Sequence, residues 1–240
     1  MTVVPYKERS ESKKQQVATM FDNISKKYDF LNHLLSLGID ISWRRKAIKK
    51  LQKLKPSKIL DIATGTGDFA LEALKLKPGK IIGVDISDGM LTVGREKMVR
   101  KKVSHIIDLQ SGDSENLQFP DNFFDAVIVS FGVRNFENLE KGLSEMHRVI
   151  RPGGMAVILE FSKPEKFPIR QIYNFYFKVI LPKIGRLFSG DTSAYTYLPE
   201  SVQEFPYGKK FVEILGKVGF KYNQCYPQTL GISSIYTGEK

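Results

Sequence analysis

The chain has 240 residues, 42% hydrophobic and 26% charged, a balance that supplies one sizeable core and excludes wholesale disorder. A net charge of +11, with an excess of lysine, fits solubility, a nucleic acid or an anionic membrane surface, and the absence of a nucleic-acid motif sets the second aside. The single Cys225 excludes a disulfide framework and a multi-thiolate metal site, and no apolar run approaches a membrane span.

The first ten residues are polar and are expected to be mobile. No apolar leader opens the chain, so a cytoplasmic protein is expected. From Ser12 to Leu54 the sequence reads as helical: Val17, Met20, Phe21, Ile24, Tyr28, Leu31 and Leu35 recur at three- and four-residue spacing. Gly38 breaks this stripe, Asp40 is expected to cap a second helix carrying Trp43, Ala47, Ile48 and Leu51, and Pro56 closes the extension.

An alternating α/β core follows. Strands are predicted at 58–62, 80–85, 103–108, 124–130 and 154–161, and helices at 68–75, 87–101 and 137–150. Apolar strands separated by helices indicate a mostly parallel sheet covered on both faces. A helix near 208–217 and strands at 219–227 and 232–238 bring the sheet to seven strands, with an antiparallel edge strand. Between Phe161 and that helix lies an aromatic-rich insertion, with Phe167, Tyr173, Phe175, Tyr176, Phe177, Phe188, Tyr195 and Tyr197. It is read as a helix followed by a substrate-covering segment.

The most informative local pattern joins the first two strands. Ile59-Leu60-Asp61-Ile62 runs into the glycine turn Ala63-Thr64-Gly65-Thr66-Gly67-Asp68, and Asp85 ends the next strand about 20 residues on. Gly65 and Gly67 permit close backbone approach to a ligand, and Asp85 suits two ribose hydroxyls. Nicotinamide dinucleotides and S-adenosylmethionine share that chemistry. Acid placement separates them, because a pyrophosphate at a helix N-terminus is repelled by carboxylates such as Asp61 and Asp68. Those acids suit a cationic ligand whose ammonium faces carbonyls or Asp61 and whose carboxylate meets backbone N–H groups of 63–67. Asp113 is placed for an adenine amino group and the Ser114 N–H for a ring nitrogen, while Ser130 ends the fourth strand where a methyl sulfonium would sit. Arg151-Pro152-Gly153-Gly154 is a structural turn. Of the histidines, His105 and His147 read as packing or surface residues, and His33 is not assigned to catalysis. No His/Cys/Asp cluster has metal-ligand spacing, so no metal is expected.

Taken together these segments resemble the class I S-adenosylmethionine-dependent methyltransferases. The runs Tyr28–Asn32, Leu35–Asp40 with Trp43-Arg44-Arg45, Asp61–Asp68, Phe131–Asn135 and Leu159–Pro164 resemble the menaquinone and ubiquinone ring C-methyltransferases. The resemblance implies a three-layer Rossmann-like fold, with an N-terminal helical extension over 1–55 and a core over 56–240 that includes the insertion 163–207. It implies cofactor contacts at Thr64, Asp85, Asp113, Ser114 and Ser130, and a quinol pocket lined by Arg134 and Asn135. Tyr195 and Tyr197 resemble the substrate-side motif, and Tyr28 and Asp29 are placed to close over the reactive ring. The implied acceptor is a prenylated quinol, with demethylmenaquinol ahead of a benzoquinol precursor of ubiquinone or another aromatic ring. In that setting Arg134 orients a water or the phenolate and Asn135 holds it. A peripheral position at the inner face of the membrane and a homodimer are compatible with it. A dinucleotide-dependent oxidoreductase and an RNA-associated scaffold are the competing classes.

Overall fold

A computed structural model describes residues 3–36, 38–176, 179 and 193–240, without the side chains of Leu31, Leu34, Leu35 and Tyr195. Helices α1 (Lys13–Leu35) and α2 (Ile39–Lys49) precede β1 (Lys58–Ile62). The core continues through α3 (Asp68–Ala73), β2 (Lys80–Asp85), α4 (Asp88–Arg100), β3 (Ile107–Ser111), β4 (Phe124–Ser130), α5 (Leu139–Val149) and β5 (Ile150–Phe161). In the insertion α6 (Ile169–Phe175) and α7 (Ser193–Glu204) are described, followed by α8 (Lys209–Lys217), β6 (Lys221–Gln228) and β7 (Ser233–Glu239).

The sheet has seven strands in the order β3-β2-β1-β4-β5-β7-β6. Strands β1 to β5 are parallel, and β7 runs antiparallel to both β5 and β6, so the expected terminal strand pair closes one edge. Period-two alternation splits the buried side chains between two faces. Ile59, Ile81 and Ile128 join Trp43, Ile48, Phe69 and Leu91 on the α2–α4 face. Leu60, Ile62, Val127 and Val129 join Leu143, Met146, Phe211 and Leu215 on the α5 and α8 face. Helix ends follow local chemistry: Ser87 accepts from Met90 N–H at 3.1 Å and Asn138 from Lys141 N–H at 3.0 Å, satisfying N-terminal donors of α4 and α5.

Three expectations are corrected. Strand β3 begins at Ile107 rather than at 103; Val103 and Ile106 pack on the core from the turn after α4, which made that stretch look like a strand. Gly38, at φ 73°, occupies the cap of α2, and Asp40 lies in its first turn bonded to side chains instead. Residues 3–10 are tied down: Val3 and Tyr6 pack on Val17, Met20 and Tyr197, and the Tyr6 N–H donates to Gln16 Oε1 at 2.9 Å.

Candidate active site

Strand order reverses between β1 and β4, which opens a crevice beyond their carboxyl ends, the place where open parallel sheets bind ligands. Two cavities meet there. The first is lined by Gly65, Asp85, Gly112, Asp113, Ser114, Ser130, Gly132 and Asn135, with Phe21 and Tyr28 from α1. The backbones that frame it are strained. Ala63 and Phe131 hold φ of 50° and 59°, values that cost a side-chain-bearing residue about 1–2 kcal/mol.

Within this first cavity the predicted groups take different parts. Asp85 accepts the Gly65 N–H at 2.8 Å and the Ser87 N–H at 2.9 Å; burial raises its pKa against those bonds. Ser130 Oγ is buried with no partner among the described residues. Asp113 faces the cavity but holds Lys14 Nζ at 2.6 Å and the Glu115 N–H at 2.9 Å. Asp61 lies beneath the turn, fully buried. Its Oδ2 accepts the Thr64 hydroxyl at 2.7 Å, its Oδ1 is unpaired among the described residues, and burial pushes its pKa up to about 7. Asp61, Thr64 and Gly67 do not line the cavity, contrary to expectation. Gly67, at φ 82°, lets α3 pack on α4 and β3: a Cβ there would meet Met98 Cε at 2.5 Å.

The second cavity is larger and mostly apolar. Met20, Ile24, Trp43, Phe161, Ile169, Ile172, Tyr173, Tyr197, Leu198 and Leu230 wall it, so it draws on α1, α2, the end of β5, α6, α7 and the β6–β7 connection. Phe21, Tyr28 and Phe131 belong to both cavities and mark their junction. Burial raises the Tyr28 pKa, with Asn32, Arg134 and Arg44 acting the other way. Arg134 enters the apolar cavity from a 3-10 turn, Val133–Asn135, and its Nη1 donates to Glu160 Oε1 at 2.9 Å and to the Phe131 carbonyl. Glu160 is fully buried, which raises its pKa although Arg134 draws it down. Asn135, from the same turn, faces the first cavity and accepts the Tyr197 hydroxyl at 3.2 Å. Tyr195 belongs to α7, its side chain outside the described residues.

Asp29 lines neither cavity, contrary to expectation. It accepts Thr66 Oγ1 at 2.6 Å and pairs with Lys97 Nζ at 2.5 Å, docking α1 on the glycine turn and α4. Asp22 docks the same helix by accepting Ser87 Oγ at 2.6 Å and the Gly89 N–H at 2.8 Å. Lys13 Nζ donates to the carbonyls of Arg134 at 3.1 Å and Phe136 at 2.8 Å, and burial lowers its pKa to about 8. The sequence reading gave no role to Lys13, Lys14, Asp22, Arg44 or Glu160. Two signals were present: an acid inside the apolar run of β5, and Asp40 with Arg44 one helical turn apart.

Residues 9–240 match the model of the ubiE/COQ5 methyltransferase family. The demethylmenaquinone methyltransferase of Bacteroides fragilis is 50% identical over 229 residues, covering 95% of this chain and 94% of that protein. The ubiquinone/menaquinone biosynthesis C-methyltransferase UbiE of Geobacter sulfurreducens is 46% identical over 234 residues, covering 97% and 91%. Among solved structures, an S-adenosylmethionine-dependent methyltransferase from Thermotoga maritima, a possible histamine N-methyltransferase, superposes with a TM-score of 0.65 over 92% of this chain and 99% of that one. At 20% identity it speaks for the fold alone. The match to the family over nearly the whole length removes the oxidoreductase and scaffold alternatives: the chain belongs to the ubiE/COQ5 methyltransferase family and is an S-adenosylmethionine-dependent methyltransferase.

Proposed function

We propose that the chain transfers a methyl group from S-adenosylmethionine to a ring carbon of demethylmenaquinol, giving menaquinol, S-adenosylhomocysteine and a proton. The observation that carries the reading is the junction itself. A polar cavity at the strand ends opens, past Tyr28 and Phe131, into an apolar one large enough to take a ring and the start of a prenyl chain.

The residues of the polar cavity fit the cofactor. Beneath the glycine turn the buried Asp61 carboxylate would attract an ammonium through the turn it supports, and the Ser130 Oγ lies unpaired among the described residues at the end of β4 beside the junction. Gly65, at φ 56°, brings bare backbone toward the cavity, with Tyr28 Cε1 4.0 Å from where a Cβ would stand. Asp85 would hold the ribose, and Asp113 with Ser114 the adenine. The bound cofactor supplies a methyl group activated by a positively charged sulfur.

Arg134 prepares the acceptor. Its guanidinium, held by Glu160 against the Phe161 ring, favours the ionised form of a ring hydroxyl beside the reacting carbon. It orients the phenolate rather than taking the proton, since a guanidinium pKa lies above about 12. The proton passes to water, the neighbouring ring carbon takes the methyl group as its bond to sulfur breaks, and the hydrogen on that carbon then moves to the ring oxygen, restoring the aromatic quinol. Asn135 and Tyr197 brace the turn that carries Arg134, while the apolar wall excludes water from the ring.

A prenylated quinol lives in a bilayer, and the proposal extends to transient docking at the inner membrane face. Ile39, Ile172 and Leu230 are exposed by 38%, 62% and 72% and also line the apolar cavity, so they form its rim; Phe167 and Phe175 are exposed by 80% and 58% on the same insertion. The charge of +11 complements anionic headgroups. Among the described residues no helix is long and apolar enough to cross a membrane. Labelled S-adenosylmethionine offered with reduced demethylmenaquinol and with the benzoquinol precursor, in detergent, tests the reading. A ring C-methyl product with the first acceptor supports it, faster turnover of the second reassigns the substrate, and no product despite cofactor binding discards both.

A further inference from the structure

Two guanidiniums, not one, stand in the wall of the apolar cavity: Arg134 and, from α2, Arg44. Their side chains are only 8% and 9% exposed. They are built alike. Each is held through Nη1 by a buried carboxylate, Arg134 by Glu160 and Arg44 by Asp40, and each has an Nε–H without an acceptor among the described residues. Each also lies over one ring of a single aromatic pair. Phe131 and Phe161 stack at 4.4 Å and 31°, with the Arg44 guanidinium 5.9 Å from the first ring centre and that of Arg134 5.5 Å from the second. A guanidinium has five N–H donors in a rigid fork. A buried guanidinium in an apolar wall is costly until its donors are met, and the polar atoms of a bound ring would meet them.

Asp40 fixes the Arg44 fork from behind. Its Oδ1 accepts the Ser36 hydroxyl at 2.6 Å and its Oδ2 meets His33 Nδ1 at 3.0 Å. Burial pushes its pKa up, but Ser36, Arg44 and His33 hold it below the usual carboxylate value. The carboxylate therefore stays charged and Arg44 stays oriented.

We infer that Arg44 is a specificity-determining residue that binds the second oxygen of the acceptor ring, across from the one beside Arg134. This rests on the quinol reading above. Arg134 takes the oxygen next to the reacting carbon because it follows directly on Ser130–Gly132, which line the cofactor cavity. Both arginines line the apolar cavity alone, but Arg134 sits between residues that line the cofactor cavity whereas no residue of α2 does, so Arg44 meets the far edge of the ring. The site thus selects a ring with two para oxygens over one with a single hydroxyl. Such selection is strong when buried charged donors would otherwise be stranded.

The test crosses protein with acceptor. One acceptor is the prenylated 1,4-dihydroxynaphthalene; the other keeps the hydroxyl beside the methylated carbon and lacks the one across the ring. For the unaltered chain, deleting the far hydroxyl is expected to lower kcat/KM by about 10–100-fold, the usual range for a hydrogen bond to a charged group. Arg44→Met should cost the dihydroxy acceptor a similar factor, change the deoxy acceptor less than about threefold, and leave cofactor Kd in place. Arg44→Lys should recover part of the loss. Equal slowing of both acceptors by Arg44→Met, or of neither, overturns the inference. If Arg44→Met does not fold, the unaltered chain decides, because similar kcat/KM values for the two acceptors also overturn it. Turnover of neither acceptor by the unaltered chain would remove the quinol reading, and this inference with it.

Discussion

The two cavities are made of different material. The polar one rests on consecutive strand ends from Gly65 to Ser114 and the end of β4, with α1 laid across them. Its side chains hang on backbone that the sheet already fixes. The apolar one gathers residues from Met20 to Ile232, nearly the whole chain, and its polar groups are held by other side chains: Arg134 by Glu160, Arg44 by Asp40. A site on strand ends inherits its geometry from the fold, whereas a site between excursions must carry its own supports.

That contrast can be broken experimentally. The largest effect is expected at Arg134: replacement by alanine should lower kcat by about 10²–10³-fold, with cofactor Kd shifted less than threefold. Equal losses in both would mean the cavities are not separate in function. Next is Asp61→Asn, which should weaken S-adenosylmethionine binding by about 10–100-fold. Asp61 gives up its proton at about 7, and a cationic ligand prefers the carboxylate, so affinity in the parent chain should rise as pH increases from 5.5 to 7.5 and level off above. The asparagine variant should show a flat profile. The same shift has a sign for stability. An unfolded Asp61 ionises near 3.8, so the free fold loses stability as pH rises from there through about 7, and urea titrations of the variant should lack that slope. A smaller change is expected on the rim: Phe167→Asp should reduce binding to anionic vesicles about tenfold without altering turnover in detergent. Smallest of all, Lys14→Met should move cofactor Kd by less than about fivefold, because the Lys14–Asp113 pair is partly exposed, at 29% and 32%. A larger shift would make α1 a primary cofactor contact.

The sequence disclosed these regions unequally. The glycine turn, Asp85 and the strands around them were readable because each signal is local: an apolar run, a pair of glycines, an acid at a strand end. Even there periodicity misled at Val103 and Ile106, which are apolar because a turn packs inward and not because a strand begins. The acceptor side was readable only in fragments. Resemblance pointed to Arg134, but nothing local pairs it with Glu160, 26 residues away. Asp29 misled for a related reason. Beside Tyr28 in sequence, it turns to a different face of α1, where Lys97 and Thr66 hold it.

Helix α1 enters both cavities, through Phe21 and Tyr28. A common wall makes the two substrates each other's effectors. Whatever factor bound S-adenosylmethionine adds to the acceptor's affinity by settling that wall, the acceptor must return to S-adenosylmethionine, since coupling between sites is reciprocal. Product affinity then follows the same rule, and a methylated ring that leaves first loosens the hold on the spent cofactor.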